Sequence, residues 1–419
     1  MTSTRQIRNR FFGISLRAPT ALAIALVLTI VATQVGQAQT YKVIYNFTGG
    51  QDGAGPVGLT IDNAENLYGA ANYGGLLGGK CESGCGTVFK LRQVNSAWLL
   101  MPLYAFQGGS DGLFPLAAVA LGQNGSLYGT TSRGGLAGTG TAFNLKPPAT
   151  ACRTALCSWN ETLLYQFTDG SDGGFPDSPL VFDQNDNIFS TAPSGGGPHN
   201  AGVVYELTPS GGGWTESVLY AFAGGDDGFE PRGVIRDQAG NLYGVTYSGG
   251  ANGAGLAYQL VPTGNGWTRN VLHNFQFSDG GLPMDGLVFD KSGNLYGTTT
   301  SYGPGGHGTV FMLSPSGGTW TLTVLYSFSS WANPSASLTV DAAGNLYCTT
   351  QYDGSFGCGT VFKLTPEGSG WSYSSLHDFT CGTGGVAPMS SVVFDSGGNL
   401  FGVANGGTNG SGIVWEIAP

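Results

Sequence analysis

Charged side chains are scarce in this sequence: they make up only 10% of its 419 residues. Helical proteins of this size carry far more Ala, Glu, Lys and Arg, so a mainly helical fold is excluded. Glycine (73 residues) and proline (20 residues) are abundant, while hydrophobic residues still reach 41%. The chain can therefore bury a substantial core, and we expect compact β-structure with many turns.

Basic residues are equally sparse, and none forms a run after residue 17. The formal net charge is −10. A chain without a basic patch offers no electrostatic footprint for phosphate groups, so we expect no nucleic-acid partner. Long apolar runs are also missing after residue 32, and we expect no membrane span in the mature chain.

The N-terminal segment differs from the rest and has the form of a secretory signal peptide. Four arginines precede an apolar run at residues 21–32, and residues 36–38 supply the small side chains of a cleavage site. The sequence predicts a signal peptide at 1–38, export to the periplasm or the extracellular space, and a single folded domain at 39–419. An uncleaved anchor is the alternative, although the apolar stretch is shorter than the roughly 20 residues of a membrane helix.

One pattern recurs seven times after the N-terminal segment. Its centre is Asn-Leu-Tyr-Gly or a variant, and the aromatic residues of successive copies are 51 to 61 residues apart. These aromatic residues are Tyr68, Tyr128, Phe189, Tyr243, Tyr296, Tyr347 and Phe401. Segments of the Gly-Thr-Val-Phe-Lys-Leu type and of the Leu-Tyr-x-Phe type also occur seven times each. The three counts agree, which indicates seven copies of one structural unit.

Each unit supplies four short β-prone runs, here called A, B, C and D, and Asp-x-x-Gly-Asn links A to B with tight-turn chemistry. Four antiparallel strands cannot bury both faces alone, so the copies must pack on one another. We predict an all-β fold, a seven-bladed β-propeller with four antiparallel strands per blade. A parallel β-solenoid is the alternative, but its coils are usually shorter and lack these hairpins.

The two ends of the repeated region are complementary. The region begins with a lone D-type strand at residues 41–47 and ends after the C-type strand at residues 412–417. The last blade therefore lacks its own D strand. We expect the N-terminal strand to complete it, which also removes an exposed sheet edge.

The run Asn-Leu-Tyr-Gly-Thr-Thr, Gly-Gly, Gly-Thr-Val-Phe-Lys-Leu-Thr-Pro, Gly-x-Trp and Val-Leu-Tyr-x-Phe resembles the GloVer (Gloeobacter/Verrucomicrobia-type) tandem repeat. That family consists of secreted bacterial proteins described as having a "choice of anchor". The resemblance covers essentially all of residues 41–419 and implies an exported bacterial protein, without an established activity. More loosely, Pro-x-x-x-Leu-x-x-Asp-x-x-Gly-Asn-Leu-Tyr is similar to NHL and gluconolactonase-like propellers, some of which are enzymes.

An acid recurs in the loops that join strand D of one blade to strand A of the next. Because strands alternate direction, these D-to-A loops and the B-to-C loops must emerge on the same face. The acids are Asp52, Asp111, Asp172, Asp227 and Asp279, and units six and seven lack one. Carboxylates around a rim could hold a calcium-type cation or the hydroxyls of a glycan. The alternative is turn chemistry, because Asp-Gly is a favoured turn pair.

The B-to-C loops carry larger side chains beside Gly-Gly pairs. These are Tyr73, Arg133, Tyr247, Tyr302 and Tyr352. Aromatic rings next to adaptable glycines suit stacking on sugars or other flat ligands. The alternative is that they pack over neighbouring blades. Together with the acids they form the predicted ligand-binding set.

Seven cysteines leave one unpaired, and an exported protein favours disulfides. The expected disulfides are Cys81–Cys85, Cys152–Cys157 and Cys358–Cys381. The first two pairs lie within single loops, and the third joins the start of strand C to the end of strand D in blade six. Cys348 stands in the Gly place of Asn-Leu-Tyr-Gly and is expected to be a free, buried thiol. The rival pairing is Cys348 with Cys358.

These observations favour a secreted, non-catalytic binding propeller for an extracellular polysaccharide or protein, without catalytic residues or a cofactor and acting as a monomer. The near-even reuse of all seven units supports it, because a catalytic site usually forces a few copies away from the common pattern. The alternative function is a hydrolase or lyase that uses the rim carboxylates as metal ligands or acid/base groups.

Overall fold

The computed structural model describes residues 39–77, 80–148 and 158–419. In these residues, 28 strands (β1 to β28) form seven four-stranded antiparallel sheets, and two short 3₁₀ helices lie at Gly225–Asp227 and Gly382–Gly384. Each sheet is one blade. The predicted seven-bladed β-propeller is confirmed, and the solenoid alternative is wrong. The predicted signal peptide at 1–38 lies outside the described residues.

The A strands surround the central channel, and the D strands form the outer edges of the blades. The A strands are β2 (Ala54–Ile61), β6 (Ala120–Leu121), β10 (Val181–Phe182), β14 (Phe229–Arg236), β18 (Val288–Phe289), β22 (Thr339–Val340) and β26 (Val393–Phe394). The B strands are β3 (Leu67–Tyr73), β7 (Leu127–Thr131), β11 (Ile188–Ala192), β15 (Leu242–Ser248), β19 (Leu295–Thr299), β23 (Leu346–Thr350) and β27 (Leu400–Ala404).

The outer two strands are longer than the inner two in five of the blades, whereas in blades one and four the A strand is as long as the C strand. The C strands are β4 (Thr87–Val94), β8 (Thr141–Lys146), β12 (Val203–Ser210), β16 (Leu256–Thr263), β20 (Thr309–Ser316), β24 (Thr360–Glu367) and β28 (Ile413–Ala418). The D strands are β5 (Ala97–Ala105), β9 (Asn160–Gln166), β13 (Gly213–Ala221), β17 (Gly266–Asn274), β21 (Thr319–Ser327), β25 (Gly370–Asp378) and, for blade seven, β1 (Thr40–Asn46).

The A-to-B turn is closed by its own aspartate. In blade one, a carboxylate oxygen of Asp62 accepts the backbone N–H groups of Ala64 and Asn66, both at 2.9 Å. The Tyr68 hydroxyl donates to the other oxygen at 3.0 Å. Burial raises the pKa of Asp62, but these hydrogen bonds outweigh it and the net effect lowers the pKa. This segment, with Glu65 where most repeats have Gly, is therefore one hydrogen-bonded unit that fixes the hairpin, and Asp237 builds the same unit in blade four with Gly240 in that place.

The hydrophobic core lies between neighbouring blades. The Phe of each Leu-Tyr-x-Phe segment packs edge-on against the aromatic residue of the next C strand, as Phe47 does on Phe89 at a centroid distance of 5.1 Å. The other pairs are Phe106–Phe143, Phe167–Tyr205, Phe222–Tyr258, Phe275–Phe311, Phe328–Phe362 and Phe379–Trp415. The Gly of Asn-Leu-Tyr-Gly makes room for this ring, because a Cβ on Gly69 would meet Phe89 at 2.5 Å.

A proline at the start of each blade seals the same seam. Pro115 rests on Gly86 of the preceding blade, where an added Cβ would lie 2.6 Å from the proline Cδ. The residue before the proline, Phe114, has a positive φ of 59° and donates its N–H to Cys85 O at 2.9 Å. The residue before each of the seven prolines has this left-handed backbone. The seams are thus built alike around the ring.

The ring closes through the N-terminal strand, as predicted. β1 pairs antiparallel with β28, with Thr40 opposite Ala418 and Asn46 opposite Ile413. Pro56 of blade one rests on Gly412 of blade seven, where a Cβ would lie 2.3 Å from the proline Cδ. Blade seven is therefore assembled from both ends of the repeated region.

Candidate functional site

The D-to-A and B-to-C loops share one face, called here the loop face. Within each blade the B-to-C loop is hydrogen-bonded to the D-to-A loop that leads into that blade: Gly75 N–H donates to Gly50 O at 2.8 Å, and Gly135 N–H donates to Gly109 O at 3.0 Å. The A strands begin on this face, so it also surrounds one mouth of the central channel.

The repeated acids of the loop face are bonded within their own turns. Asp52 is only 7% exposed, and its carboxylate accepts the Tyr45 hydroxyl at 2.9 Å and the Thr48 N–H at 2.8 Å. The partners of the remaining acids are Tyr104 and Gln107 for Asp111, Tyr165 and Thr168 for Asp172, Tyr220 and Ala223 for Asp227, and His273 and Gln276 for Asp279. These hydrogen bonds are those of an aspartate that closes its own turn. Turn formation was the alternative to ligand binding that the sequence left open.

The repeated acid also explains why Leu-Tyr-x-Phe carries a tyrosine, whose hydroxyl donates a hydrogen bond to it. Burial raises the pKa of Tyr45, and the Asp52 carboxylate raises it further. The phenol therefore stays protonated and donates. In blade four His273 takes the same place, with its Nε2 3.0 Å from Asp279. Among the described residues, no group of three or more His, Cys, Asp or Glu side chains is arranged to hold a metal ion. A calcium-type cation on this face stays a prediction.

The predicted side chains of the B-to-C loops are spread over several blades. Tyr73 is 43% exposed and packs edge-on against Phe114 of the next D-to-A loop. The Arg133 guanidinium lies over Phe175 at 5.2 Å. Tyr247 lies under the Arg232 guanidinium at 5.6 Å. Each of these contacts leaves only part of the side chain free.

Blades five and six concentrate the exposed rings. Tyr302 packs edge-on against Phe277 at 4.6 Å, and Tyr352 donates its N–H to Ala332 O, next to Trp331. The aromatic arc consists of Phe277, Tyr302, Trp331, Tyr352 and Phe356, of which Trp331 is the most exposed at 69%. Only its two tyrosines were predicted from the sequence. The available signal was the D-to-A loop of blade six, where a shorter segment carries Trp331 and lacks the repeated acid.

The exposed apolar residues are distributed unequally over the described chain. All of the exposed large hydrophobic side chains lie on the loop face or at its channel mouth, except Val94, Leu99, Val218 and Val271. This unequal distribution makes the loop face the candidate interaction surface.

The central channel holds a second set of candidate side chains, which the repeat pattern did not predict. A cavity of about 200 Å³ is lined by residues from all seven blades. They include the residue that follows each repeated proline: Val57, Leu116, Asp177, Arg232, Met284, Ser335 and Met389. These residues share no common type, whereas the prolines before them are identical. This change of residue type at one fixed position was the signal in the sequence.

Two disulfides are present in the described residues, Cys81–Cys85 and Cys358–Cys381. Cys348 is a buried free thiol, and burial raises its pKa to about 12. The expected pair Cys152–Cys157 lies outside the described residues. Both disulfides lie in loops of the loop face, and Cys358–Cys381 joins the B-to-C loop of blade six, which carries Tyr352 and Phe356, to the D-to-A loop that follows.

No helix in the described part of the chain is long and apolar enough to cross a membrane.

Comparison with known proteins identifies the repeat and the fold. The family model described as the Gloeobacter/Verrucomicrobia repeat matches residues 29–163, 155–331 and 230–419. No curated protein matches the sequence. The structure is similar to the extracellular domain of a B. thetaiotaomicron protein that is provisionally described as a hybrid two component system. The TM-score is 0.55 at 12% sequence identity, and the match covers 90% of this chain and 39% of that chain.

A second solved structure is similar over most of its length. It is provisionally described as a 6-phosphogluconolactonase from Bacteroides uniformis ATCC 8492, with a TM-score of 0.51 and 14% identity, covering 79% of this chain and 95% of that chain. At these identities the likeness concerns the fold alone, because one propeller architecture hosts many unrelated functions.

Proposed function

This chain belongs to the Gloeobacter/Verrucomicrobia repeat family, and we propose that it is an exported, non-catalytic binding propeller whose loop face takes an extracellular polysaccharide. The observation that carries the proposal is the aromatic arc. Its five rings belong to adjacent blades and are between 40% and 69% exposed. Exposing rings to water in this number is unfavourable unless a ligand covers them.

A polysaccharide fits the chemistry of the arc. Sugar rings have an apolar face that stacks on an aromatic ring and hydroxyls that need hydrogen-bond partners. The loop face supplies such partners in its backbone carbonyls and in Gln351, whose amide already bonds Ser335 Oγ at 2.8 Å beside Tyr352. A chain of sugars could follow successive loops around the rim, since blades five and six present their rings in sequence.

Export is part of the same proposal. The predicted signal peptide at 1–38 provides the route. The disulfides Cys81–Cys85 and Cys358–Cys381 support it, because such bonds form and persist in oxidising compartments outside the cytosol.

A glycan array probed with the folded protein tests the proposal. We expect binding to one class of polysaccharide, with no release of reducing sugar over the course of the assay. The double variant Trp331→Ala/Tyr352→Ala should weaken this binding at least about tenfold, because central exposed aromatics carry most of the energy of such contacts. Leu136→Ala is the matched control: Leu136 is an apolar loop-face side chain in blade two that is 87% exposed.

Three outcomes would contradict the proposal. They are an array without any hit, binding unaffected by the double variant, and hydrolysis of the bound glycan. Asp111→Asn and Asp172→Asn examine the other predicted contacts. If these acids serve only their turns, binding stays intact and at most the melting temperature falls; a loss of affinity in variants that still fold would show that they also meet the ligand. Repeating the assay with calcium and with a chelator tests the predicted cation on the loop face.

A further inference from the structure

The charged residues of the central channel are unbalanced. Arg232 is paired with Asp177 through one guanidinium nitrogen and with Glu230 through the other, at 2.7 Å. Its positive charge is therefore matched by two carboxylates. No further Lys, Arg or His of the described chain makes an ion pair in the channel. With Asp285 ionised, the channel carries an excess of negative charge.

Asp285 is the carboxylate without a cation. It lines the cavity and is half-buried there. Its two oxygens accept one backbone N–H each, from Gly286 at 2.7 Å and from Ser337 at 2.8 Å. The Ser337 side chain also hydrogen-bonds to this carboxylate. An ionised carboxylate can accept about four hydrogen bonds, so about one acceptor position remains open. Burial raises the pKa of Asp285, and the nearby Asp177 charge raises it further. The hydrogen bonds from Gly286 and Ser337 oppose this rise. A raised pKa favours the neutral acid, and a cation beside Asp285 would lower the pKa and keep the carboxylate ionised.

The walls of the cavity decide what kind of cation fits. Leu116, Met284 and Met389 line it and are between 36% and 45% exposed. Ser178, Ser335, Ser390 and Ser391 also line the cavity and offer hydroxyls.

An inorganic ion such as calcium takes six to eight oxygens, chiefly from carboxylates, carbonyls and waters, and the carboxylates lining this cavity are Asp285 and Asp177, which is already paired with Arg232. Leu116, Met284 and Met389 add apolar surface. These side chains suit an organic body, and methionine adapts its shape to the ligand that it contacts.

From this juxtaposition we propose that the central channel binds a small organic ammonium ion, which donates an N–H to Asp285 and whose carbon chain packs against Met284, Met389 and Leu116. The cavity of about 200 Å³ limits the ligand to a few carbon atoms. The site is separate from the aromatic arc and does not depend on the polysaccharide proposal.

Three probes with the same carbon chain test it by isothermal titration calorimetry: n-butylammonium, butan-1-ol and butyrate. A ligand of this size is expected to bind with a Kd on the order of 1 mM. We expect butylammonium to bind, butanol to bind at least about tenfold more weakly, and butyrate to give no heat. Asp285→Asn should weaken butylammonium at least about tenfold. Asp226→Asn is the control, since it removes the same charge from an exposed position on the loop face.

A second variant tests the same site if Asp285→Asn does not fold. Met389→Lys changes an exposed side chain at the channel mouth and introduces an internal ammonium group that competes for the same carboxylate. It should abolish butylammonium binding while the melting temperature holds. Equal binding of butanol and butylammonium, tighter binding of butyrate, binding of calcium that Asp285→Asn removes, or no binding of any probe would each overturn the proposal.

Discussion

The seams between blades and the wall of the central channel are built from neighbouring residues but follow opposite rules. Pro115 and Pro176 make the same contact with a glycine of the preceding blade. The next residues, Leu116 and Asp177, have nothing in common. The proline position is the same in every blade because each proline packs at a seam, whereas the next position differs from blade to blade and is not constrained by that packing. The seam residues assemble the ring, and the channel residues are free to differ because they contact its open centre.

This contrast predicts that seam changes cost stability and that channel or rim changes cost binding. Removing residues 39–48 should have the largest effect. It leaves β28 paired only with β27 and removes Phe47, which is fully buried against Phe89. Truncation of one buried Phe alone costs about 3 to 5 kcal/mol, so we expect a loss of at least about 5 kcal/mol. Calorimetric melting of the 39–419 and 49–419 chains measures it, and equal melting temperatures would contradict ring closure.

An added methyl group at the seam between blades seven and one should have the next largest effect on stability. Gly412 has a φ of 103°, and an added Cβ would lie 2.3 Å from Pro56 Cδ. Gly412→Ala should therefore lower the free energy of unfolding by about 3 kcal/mol. Gly410→Ala is the control, because Gly410 also has a positive φ but no atom lies within 4 Å of the added Cβ. Denaturant titration of both variants separates the seam contact from backbone strain. Equal losses would show that the contact with Pro56 is unimportant.

One position in the outer part of the seams carries different residue types in different blades. Two residues after the tryptophan of strand D, blade four has Arg269, which pairs with Asp227 of the preceding blade at 2.7 Å. Blade three has Glu216 there. Burial, with the nearby Asp172 charge adding to it, raises the pKa of Glu216 from 4.5 to about 7. The folded protein therefore keeps this proton where the unfolded chain has lost it, and stability falls as pH rises between these values.

Glu216→Gln should remove that penalty. After allowance for partial exposure to solvent, we expect a gain of about 1 kcal/mol near pH 8 and none near pH 4. Thermal melting across this pH range checks it, with Glu367→Gln at an exposed position as the control. A gain that is the same at both pH values would show that the effect is not the buried charge.

The smallest effect on stability is expected on the rim. Trp331 is 69% exposed, so Trp331→Ala should change the free energy of unfolding by no more than about 0.5 kcal/mol. Denaturant titration measures this, and the glycan assay shows whether binding is lost at the same time. A large loss of stability would place Trp331 among the structural residues instead.

The sequence predicts the fold well because the seam contacts repeat. Gly86 with Pro115, and Phe47 with Phe89, belong to motifs that occur seven times, so spacing alone reveals blade number and closure. The channel set could not be found by the same reasoning. Asp177, Arg232 and Asp285 come from three different blades, and only the closed ring brings them to one cavity.

The acids of the loop face illustrate the opposite difficulty. Their regular recurrence suggested a ligand, and Asp52 and Asp172 make turn hydrogen bonds in the structure. Recurrence is compatible with both roles, so ligand contact by these acids stays a prediction. Trp331, the proposed recognition residue, stood out in the sequence only because its loop interrupts the pattern.

The pairing of Thr40 with Ala418 brings the two ends of the ring side by side. A short linker could therefore join them, and the chain could be opened in another D-to-A loop to give a circular permutant of the same propeller. In the natural arrangement blade seven is the one blade whose outer strand is not covalently continuous with its inner three, so unfolding has an obvious place to begin by peeling β1 away. In the permutant that weak point would move to whichever blade carries the new opening.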